Sequence, residues 1–392
     1  MAHLEGLSGP GIQNPPFTSR TSAKIIDATI VTPLGDNLEK TWQEMLKGNH
    51  AISRVKRFPV NPYGSKTACT FEDLRPTGGR SMIYTILDRL FAEMAPVPCD
   101  AFLITATAKA GLDNLELLCR GKPADIRDIL PSSVTDMVSE RLAMTAGGIN
   151  ISASCASSTI AVARGAALIA GGRTEAVLVC CADLVTEFIF SGFSSLKALA
   201  PGPCRPFDRD RQGLTLGDGA AAILLMSQGR AKRENRRPLG TVHGWGVAND
   251  ATHITAPAKS GEGLVQAISR ALKTSEIGAE QITAINAHGT GTVYNDYMEL
   301  IAFQKVFGDR QVPIYSVKGA IGHSMGAAGG IEVALGLKTL CDRMAPPTVG
   351  LINPMDEARG RVSPEPVSLA GDYLLTTNSG FGGVNAALIL GR

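Results

Sequence analysis

The sequence predicts a layered α/β protein made of two similar halves. Three observations carry this reading. Short apolar runs alternate with stretches of helical spacing along the whole chain. A charged segment, Arg230 to Pro238, separates two stretches of comparable element order. The apolar runs 219–226 and 385–390 close those two stretches in similar ways, the weak mark of an internal duplication.

Element by element, residues 23–31 read as a strand, followed by a helix over 36–47, where Leu38, Trp42, Met45 and Leu46 fall at helical spacing. Residues 101–106 form the next strand candidate, 155–170 an alanine-rich helix, 176–182 a buried strand and 219–226 the last strand of this half. In the second half, strands are expected at 239–247, 282–287, 312–317, 373–378 and 385–390. Helices are expected at 262–273, 295–307 and 326–341. The division is therefore 23–229 and 238–392. Residues 1–22, rich in Gly, Pro, Ser and Asn, read as a flexible leader.

Composition narrows the function. Apolar residues make up 44% of the 392 and charged residues 19%, the balance of a chain with a sizeable core. A formal charge of +2 is too small by itself to suggest nucleic acid, and no such partner is expected. No apolar run is long enough for a membrane span, and no basic-then-apolar start suggests a signal peptide. The eight cysteines fit no zinc spacing, so no metal is expected, and a chain of this size needs no disulfides. Cytoplasmic thiols are the expectation.

Three segments place reactive side chains among small residues next to strand ends. Cys155 sits in Ser154-Cys155-Ala156-Ser157-Ser158 and opens a helix. The positive end of a helix dipole favours thiolate, and the free N–H groups there can hold an oxyanion. His288 enters a loop with Thr290 and Thr292, whose hydroxyls and amides face a ligand. Lys318 and His323 share the third segment. Two neutral imidazoles can polarise one thioester carbonyl. Asp296 and Glu299 lie at i and i+3 on the helix after His288. A buried Lys318 needs a carboxylate, and Glu299 is the candidate. The Gly-rich turn from Asn378 to Asn385 precedes a strand rather than a helix, which suits a mobile gate or oxyanion donor better than a nucleotide loop.

With these residues in hand, the chain resembles the elongating β-ketoacyl-acyl carrier protein synthases, condensing enzymes of the thiolase superfamily. The resemblance runs from about residue 23 to the C-terminus. It rests on Val31 to Gly35, the Cys155 segment, Arg205 to Arg211, His288 to Thr292 with Asp296, Lys318 with Gly322-His323, and the closing turn at 378–385. It implies a thiolase-like fold, two βαβαβ halves stacked as α-β-α-β-α layers with the site between them. It implies Cys155 as the nucleophile that takes an acyl group from a carrier protein. His288 and His323 would stabilise the enolate left when a malonyl thioester loses CO2. The amides of Cys155 and Phe381 would hold the oxyanion, with Phe381 as gate. Thr290 and Thr292 would contact phosphopantetheine, with Asp296 in support and Lys318 paired to Glu299. No permanently bound cofactor is implied, because the substrates ride on the carrier's phosphopantetheine.

The acidic carrier would dock on basic residues. Lys47, Arg54, Lys56, Arg57 and Lys66 lie close in sequence, and Arg205 is a further candidate near the pocket mouth. A homodimer is implied, and a heterodimer with a related subunit stays open. Two other readings also stay open: a non-elongating, chain-length-factor-like partner subunit, and a coenzyme A-dependent thiolase-like acyltransferase. The chain departs from the family at Ser154, at Gln212, at Asp218 and in a compressed stretch over 107–131.

Overall fold

The structure is a computed structural model that describes residues 22–392. The expected leader, all but its last residue, lies outside the described residues. The first half runs β1 (Ala23–Val31), α1 (Leu38–Leu46), β2 (Ser53–Arg54), β3 (Thr67–Ala68), α2 (Met82–Glu93) and β4 (Phe102–Ala106). It continues with α3 (Leu112–Cys119), α4 (Pro131–Arg141), β5 (Gly148–Ile151), α5 (Ser157–Ala170), β6 (Ala176–Asp183), α6 (Glu187–Ser195), β7 (Gly219–Ser227) and α7 (Gln228–Arg233). The second half runs β8 (Gly240–Asn249), α8 (Glu262–Ser275), β9 (Ile282–Asn286), α9 (Val293–Phe307), β10 (Ile314–Tyr315), α10 (Lys318–Ile321) and α11 (Ala328–Asp342). Strands β11 (Met344–Ala345), β12 (Val367–Ser368), β13 (Tyr373–Gly380) and β14 (Val384–Gly391) complete it.

The strand order exposes the duplication. One half is ordered β5-β4-β6-β7-β1 and the other β10-β9-β13-β14-β8. In each, the first two pairings are parallel and the last two antiparallel. The halves are not separate sheets. The first three residues of β1, Ala23 to Ile25, also pair with Val242 to Gly240 of β8, so the hydrogen bonding runs through ten strands. Helices α5 and α11 pack on each other and on strands of both halves, which makes them the central layer. Helices α2 and α4 cover the outside of the first half, and α8 covers that of the second.

Local chemistry explains why α5 and α11 can be buried. Small residues dominate both, and every residue of α11 from Ala328 to Leu337 is buried. At Gly329 the two helices meet so closely that an added Cβ would lie 1.9 Å from Thr159 Oγ1. Only glycine permits that approach.

Three expected elements are shifted. The helix expected from 155 begins at Ser157, because Ser154 turns through a left-handed φ of 52° before it. The strand expected at 312–317 is reduced to Ile314–Tyr315. The charged connector is partly helical: Ser227 caps α7 by accepting from Arg230 N–H at 3.0 Å, and Arg230 forks onto Asp100 at 2.7 and 2.9 Å. Among the described residues, no helix is long and apolar enough to cross a membrane.

The fold positions function through its strand ends. Three parallel strands deliver the segments that follow them to one crevice between the halves, β5 with Cys155, β9 with His288 and β10 with His323, the usual ligand edge of an open α/β sheet.

Candidate active site

Cys155 emerges from β5 on a tight elbow. Ser154 holds its left-handed backbone because the Ser157 hydroxyl donates to Ser154 O at 2.6 Å and accepts from Ala153 N–H at 2.8 Å. A non-glycine residue in that region carries strain that surrounding bonds must hold. The elbow sets Cys155 two residues ahead of α5, buried, with its sulfur turned into the crevice.

His323 comes from the turn after α10, and its Nε2 lies 3.0 Å from Cys155 Sγ. His288 leaves β9, and its ring crosses that of His323 edge-on at 5.1 Å between centroids. The sulfur and a nitrogen of each ring lie within 4.8 Å of one another. Three residues far apart in sequence thus meet at one point that a single thioester carbonyl can reach.

Electrostatics set their resting forms. Burial, with help from the Lys318 charge, holds both imidazoles well below the usual histidine range, so both are neutral near pH 7. Asn378 Nδ2 donates to His288 Nδ1 at 3.1 Å, which leaves His288 Nε2 as the N–H donor. Burial pushes the Cys155 thiol up to about 11, against the pull of Lys318 and of a hydrogen bond donated by Phe381 N–H. The resting group is therefore a thiol. Alkylation of Cys155 by iodoacetamide should rise steadily with pH from 6 to 9, about tenfold per unit, since only thiolate reacts. A plateau reached at neutral pH would contradict this environment.

The Lys318–Glu299 pairing does not hold. Lys318 Nζ instead meets Glu332 Oε1 at 2.5 Å and donates to His288 O at 2.5 Å, with both side chains buried. Glu299 is occupied elsewhere: its oxygens accept from His288 N–H and Gly289 N–H at 2.7 Å each and from Asn295 Nδ2 at 2.9 Å. Burial and the neighbouring Asp296 push its carboxyl up to about 8, a poor setting for a counter-ion. Glu299 therefore shapes the loop that presents His288. Asp296 does the same one turn earlier, accepting from Thr290 N–H at 3.0 Å and Phe207 N–H at 2.8 Å.

Sequence reasoning passed over Glu332 and Phe193, and gave Asn378 no role beyond opening the Gly-rich turn. Glu332 Oε2 accepts from Asn378 Nδ2 at 2.7 Å, so one chain of contacts joins Lys318, Glu332, Asn378 and His288. A lone carboxylate inside the apolar run of α11 was the signal for it. Phe193 stacks on Phe381 at 5.5 Å and 28°. Gly380 lets that hairpin approach, since a Cβ there would lie 3.1 Å from Cys155 N.

The crevice encloses about 300 Å³ and is lined by Cys155, both histidines, Thr290, Thr292 and Phe381. Leu196, Val293 and Tyr294 also line it and stand exposed at 51%, 53% and 62%. Of the basic residues singled out for docking, Arg57 is misassigned. It is buried, with its guanidinium forked onto Asp218 at 2.7 and 3.1 Å, because Asp218 needs a partner in the core. The Lys66 ammonium is turned inward onto the carbonyls of Val60, Asn61 and Tyr63. Lys47, Arg54 and Lys56 are exposed, and Arg205 is half-buried.

A thiol and two neutral imidazoles at the strand ends of a duplicated α/β fold define a condensing acyltransferase. Family models agree with that class: the "Beta-ketoacyl synthase, N-terminal domain" matches residues 105–231 and the "Beta-ketoacyl synthase, C-terminal domain" residues 239–351. The chain belongs to the β-ketoacyl synthase family. It is 30% identical to 3-oxoacyl-[acyl-carrier-protein] synthase 2 of Mycobacterium tuberculosis, over 93% of this chain and 95% of that one. With the Vibrio cholerae protein of the same name it shares 28%, over 93% and 97%. Among solved structures, the ishigamide ketosynthase/chain length factor superposes with a TM-score of 0.87 at 28% identity, covering 95% of this chain and all of that one. The ketosynthase ApeO in complex with its chain length factor ApeC, from Xenorhabdus doucetiae, gives 0.82 at 26%, covering 95% and 98%.

Proposed function

We propose that this β-ketoacyl synthase extends carrier-bound acyl chains, with Cys155 as the acyl acceptor. The observation that carries the reading is the 3.0 Å approach of His323 Nε2 to a buried sulfur, with His288 at its side. In the first step Cys155 sulfur attacks the acyl thioester of a carrier protein. The new S–C bond forms, the carrier's thioester bond breaks, and the thiol proton ends on the departing phosphopantetheine sulfur. A malonyl thioester then enters and loses CO2. Its enolate oxygen is held by N–H donors of His288 and His323, and its carbon attacks the acyl-Cys155 carbonyl. Collapse expels the Cys155 sulfur as thiolate, which takes a proton from solvent to return to the resting thiol, and leaves a 3-oxoacyl group on the carrier. The amides of Cys155 and Phe381 serve the tetrahedral oxyanion.

Lys318 and Glu332 fix the backbone and amide contacts of His288, and Asp296 and Glu299 fix its loop. Thr290 and Thr292, whose hydroxyls lie 2.9 Å apart at the crevice wall, suit the phosphopantetheine arm. Phe381 on Phe193 is the gate. The exposed Lys47, Arg54 and Lys56, with Arg205, remain the candidates for meeting the acidic carrier.

A dimer fits the sheet: β5 ends the ten-strand order with Ile149 41% exposed, and an unpaired edge of this kind invites a partner strand. A second copy or a related subunit would serve. All eight cysteines are free, which suits a reducing, cytoplasmic setting.

The test offers acyl- and malonyl-carrier proteins in parallel with their coenzyme A esters. A 3-oxoacyl-carrier product with one CO2 released per condensation is expected. Preference for coenzyme A esters without CO2 release would favour a thiolase-like acyltransferase, and no turnover with any donor would favour a non-elongating partner subunit.

A further inference from the structure

The internal duplication assigns a role to a residue outside the site described so far. In one half the last residue of β9, Asn286, pairs with Thr376 of β13, and two residues further on stands Asn378. In the other half the last residue of β4, Ala106, pairs with Cys181 of β6, and two residues further on stands Asp183. Asp183 and Asn378 therefore hold equivalent places.

Their contacts are equivalent too. Asn378 reaches the residue two past its neighbouring strand, His288, at 3.1 Å, and crosses to the other half, where Thr159 Oγ1 donates to its Oδ1. Asp183 likewise reaches the residue two past β4, accepting from Ala108 N–H at 3.1 Å. It crosses to the other half by accepting from Gly326 N–H at 2.7 Å. Thr107 Oγ1 and Lys109 N–H complete its shell at 2.7 and 3.2 Å. Asp183 is fully buried and makes no ion pair among the described residues; these four donors hold it. Burying a carboxylate against neutral donors alone is costly.

What it holds is the turn of His323. That turn is bent sharply on both sides, with φ of 71° at Gly322 and 51° at Met325. Gly326 has little room to move, since a Cβ there would lie 2.7 Å from Asp183 Oδ2. We infer that Asp183 is a positioning residue of the condensing site, the twin of Asn378: Asn378 sets His288, and Asp183 sets the turn that presents His323 to Cys155.

Electrostatics supports the same assignment. The groups whose charge acts on the Cys155 sulfur are Lys318, which favours thiolate, and Asp183 and Glu332, which oppose it. The neutral rings of His288 and His323 complete its surroundings. Asp183 itself is pushed up to about 6 by burial, so its charge is present at neutral pH and lost in mild acid.

The inference rests on the condensing reading for its kinetic readout but not for its chemical one. Asp183→Asn, in the full chain, should lower kcat at least about fiftyfold and leave KM for the malonyl-carrier substrate within about threefold. It should also move the pH profile of Cys155 alkylation to lower pH, because one opposing charge is gone. Thr107→Val keeps the charge, so it should lower kcat by only about threefold to fivefold and leave the alkylation profile in place. A folded Asp183→Asn enzyme with wild-type kcat and an unmoved alkylation profile overturns the assignment. If Asp183→Asn does not fold, Thr107→Val decides: a kcat loss at constant KM supports the role, and wild-type kcat refutes it. If the wild-type protein condenses nothing while Asp183→Asn still moves the alkylation profile, the functional reading fails and the placement of the Asp183 charge beside Cys155 is supported.

Discussion

Replacing Cys155 with alanine should cut condensation at least about a thousandfold while the fold survives. In the proposed mechanism the acyl acceptor cannot be replaced by its neighbours, since acyl transfer needs a sulfur at this point. Loss of a thiol that fills little volume should cost only about 1 kcal/mol of stability. Cys155→Gln separates the two halves of the reaction. Its amide can occupy the place of an acyl-enzyme carbonyl without accepting an acyl group, so malonyl decarboxylation should persist while extension stops. Product and CO2, measured on the same samples, check both variants. Extension that continues in either one would remove Cys155 from the mechanism.

Lys318→Ala should be the most destabilising single change at the site. It leaves the Glu332 carboxyl buried without the ammonium now 2.5 Å away, so the group must hold its charge unpaired or take up a proton, and breaking such a pair costs about 3–5 kcal/mol. It also releases the His288 carbonyl, so condensation should fall steeply even in the molecules that stay folded. Changing Lys318 to Met together with Glu332 to Leu removes both charges and should recover part of the stability, but not the activity. Melting curves beside single-turnover assays distinguish the two effects. A Lys318→Ala protein that melts like the wild type would show that the pair does not carry this load.

Much of the architecture was legible because short strands and amphipathic helices announce themselves by spacing. Residues 23–31 form β1, and the run over 262–273 sits within α8. Helices α2, α4 and α6 carry no reactive segment and were not singled out, although Ser81 and Thr186 cap two of them through side-chain oxygens. The junction of β1 with β8 spans three residue pairs and more than two hundred positions of sequence, beyond the reach of any local pattern.

The reactive groups were legible for a different reason: thiol, imidazoles and ammonium each sat among small residues at a strand end. Their partners were harder to find. Glu299 and Lys318 were paired as the carboxylate and ammonium that the motifs offered, whereas the actual partner, Glu332, sits fourteen positions further on in a helix that reads as pure core. Arg57 looked like surface charge because Asp218, which neutralises it, lies 161 residues away. Charge tells that a partner is needed, not which one.

The most direct test of the central claim is the mass of Cys155 itself. The purified protein is incubated with a panel of acyl-carrier proteins, digested and mapped, then chased with malonyl-carrier protein. The account predicts an acyl adduct on the peptide that contains Cys155, discharged by the chase to a 3-oxoacyl-carrier product. An unmodified Cys155 with every primer, or an adduct that the malonyl chase leaves in place, would contradict it.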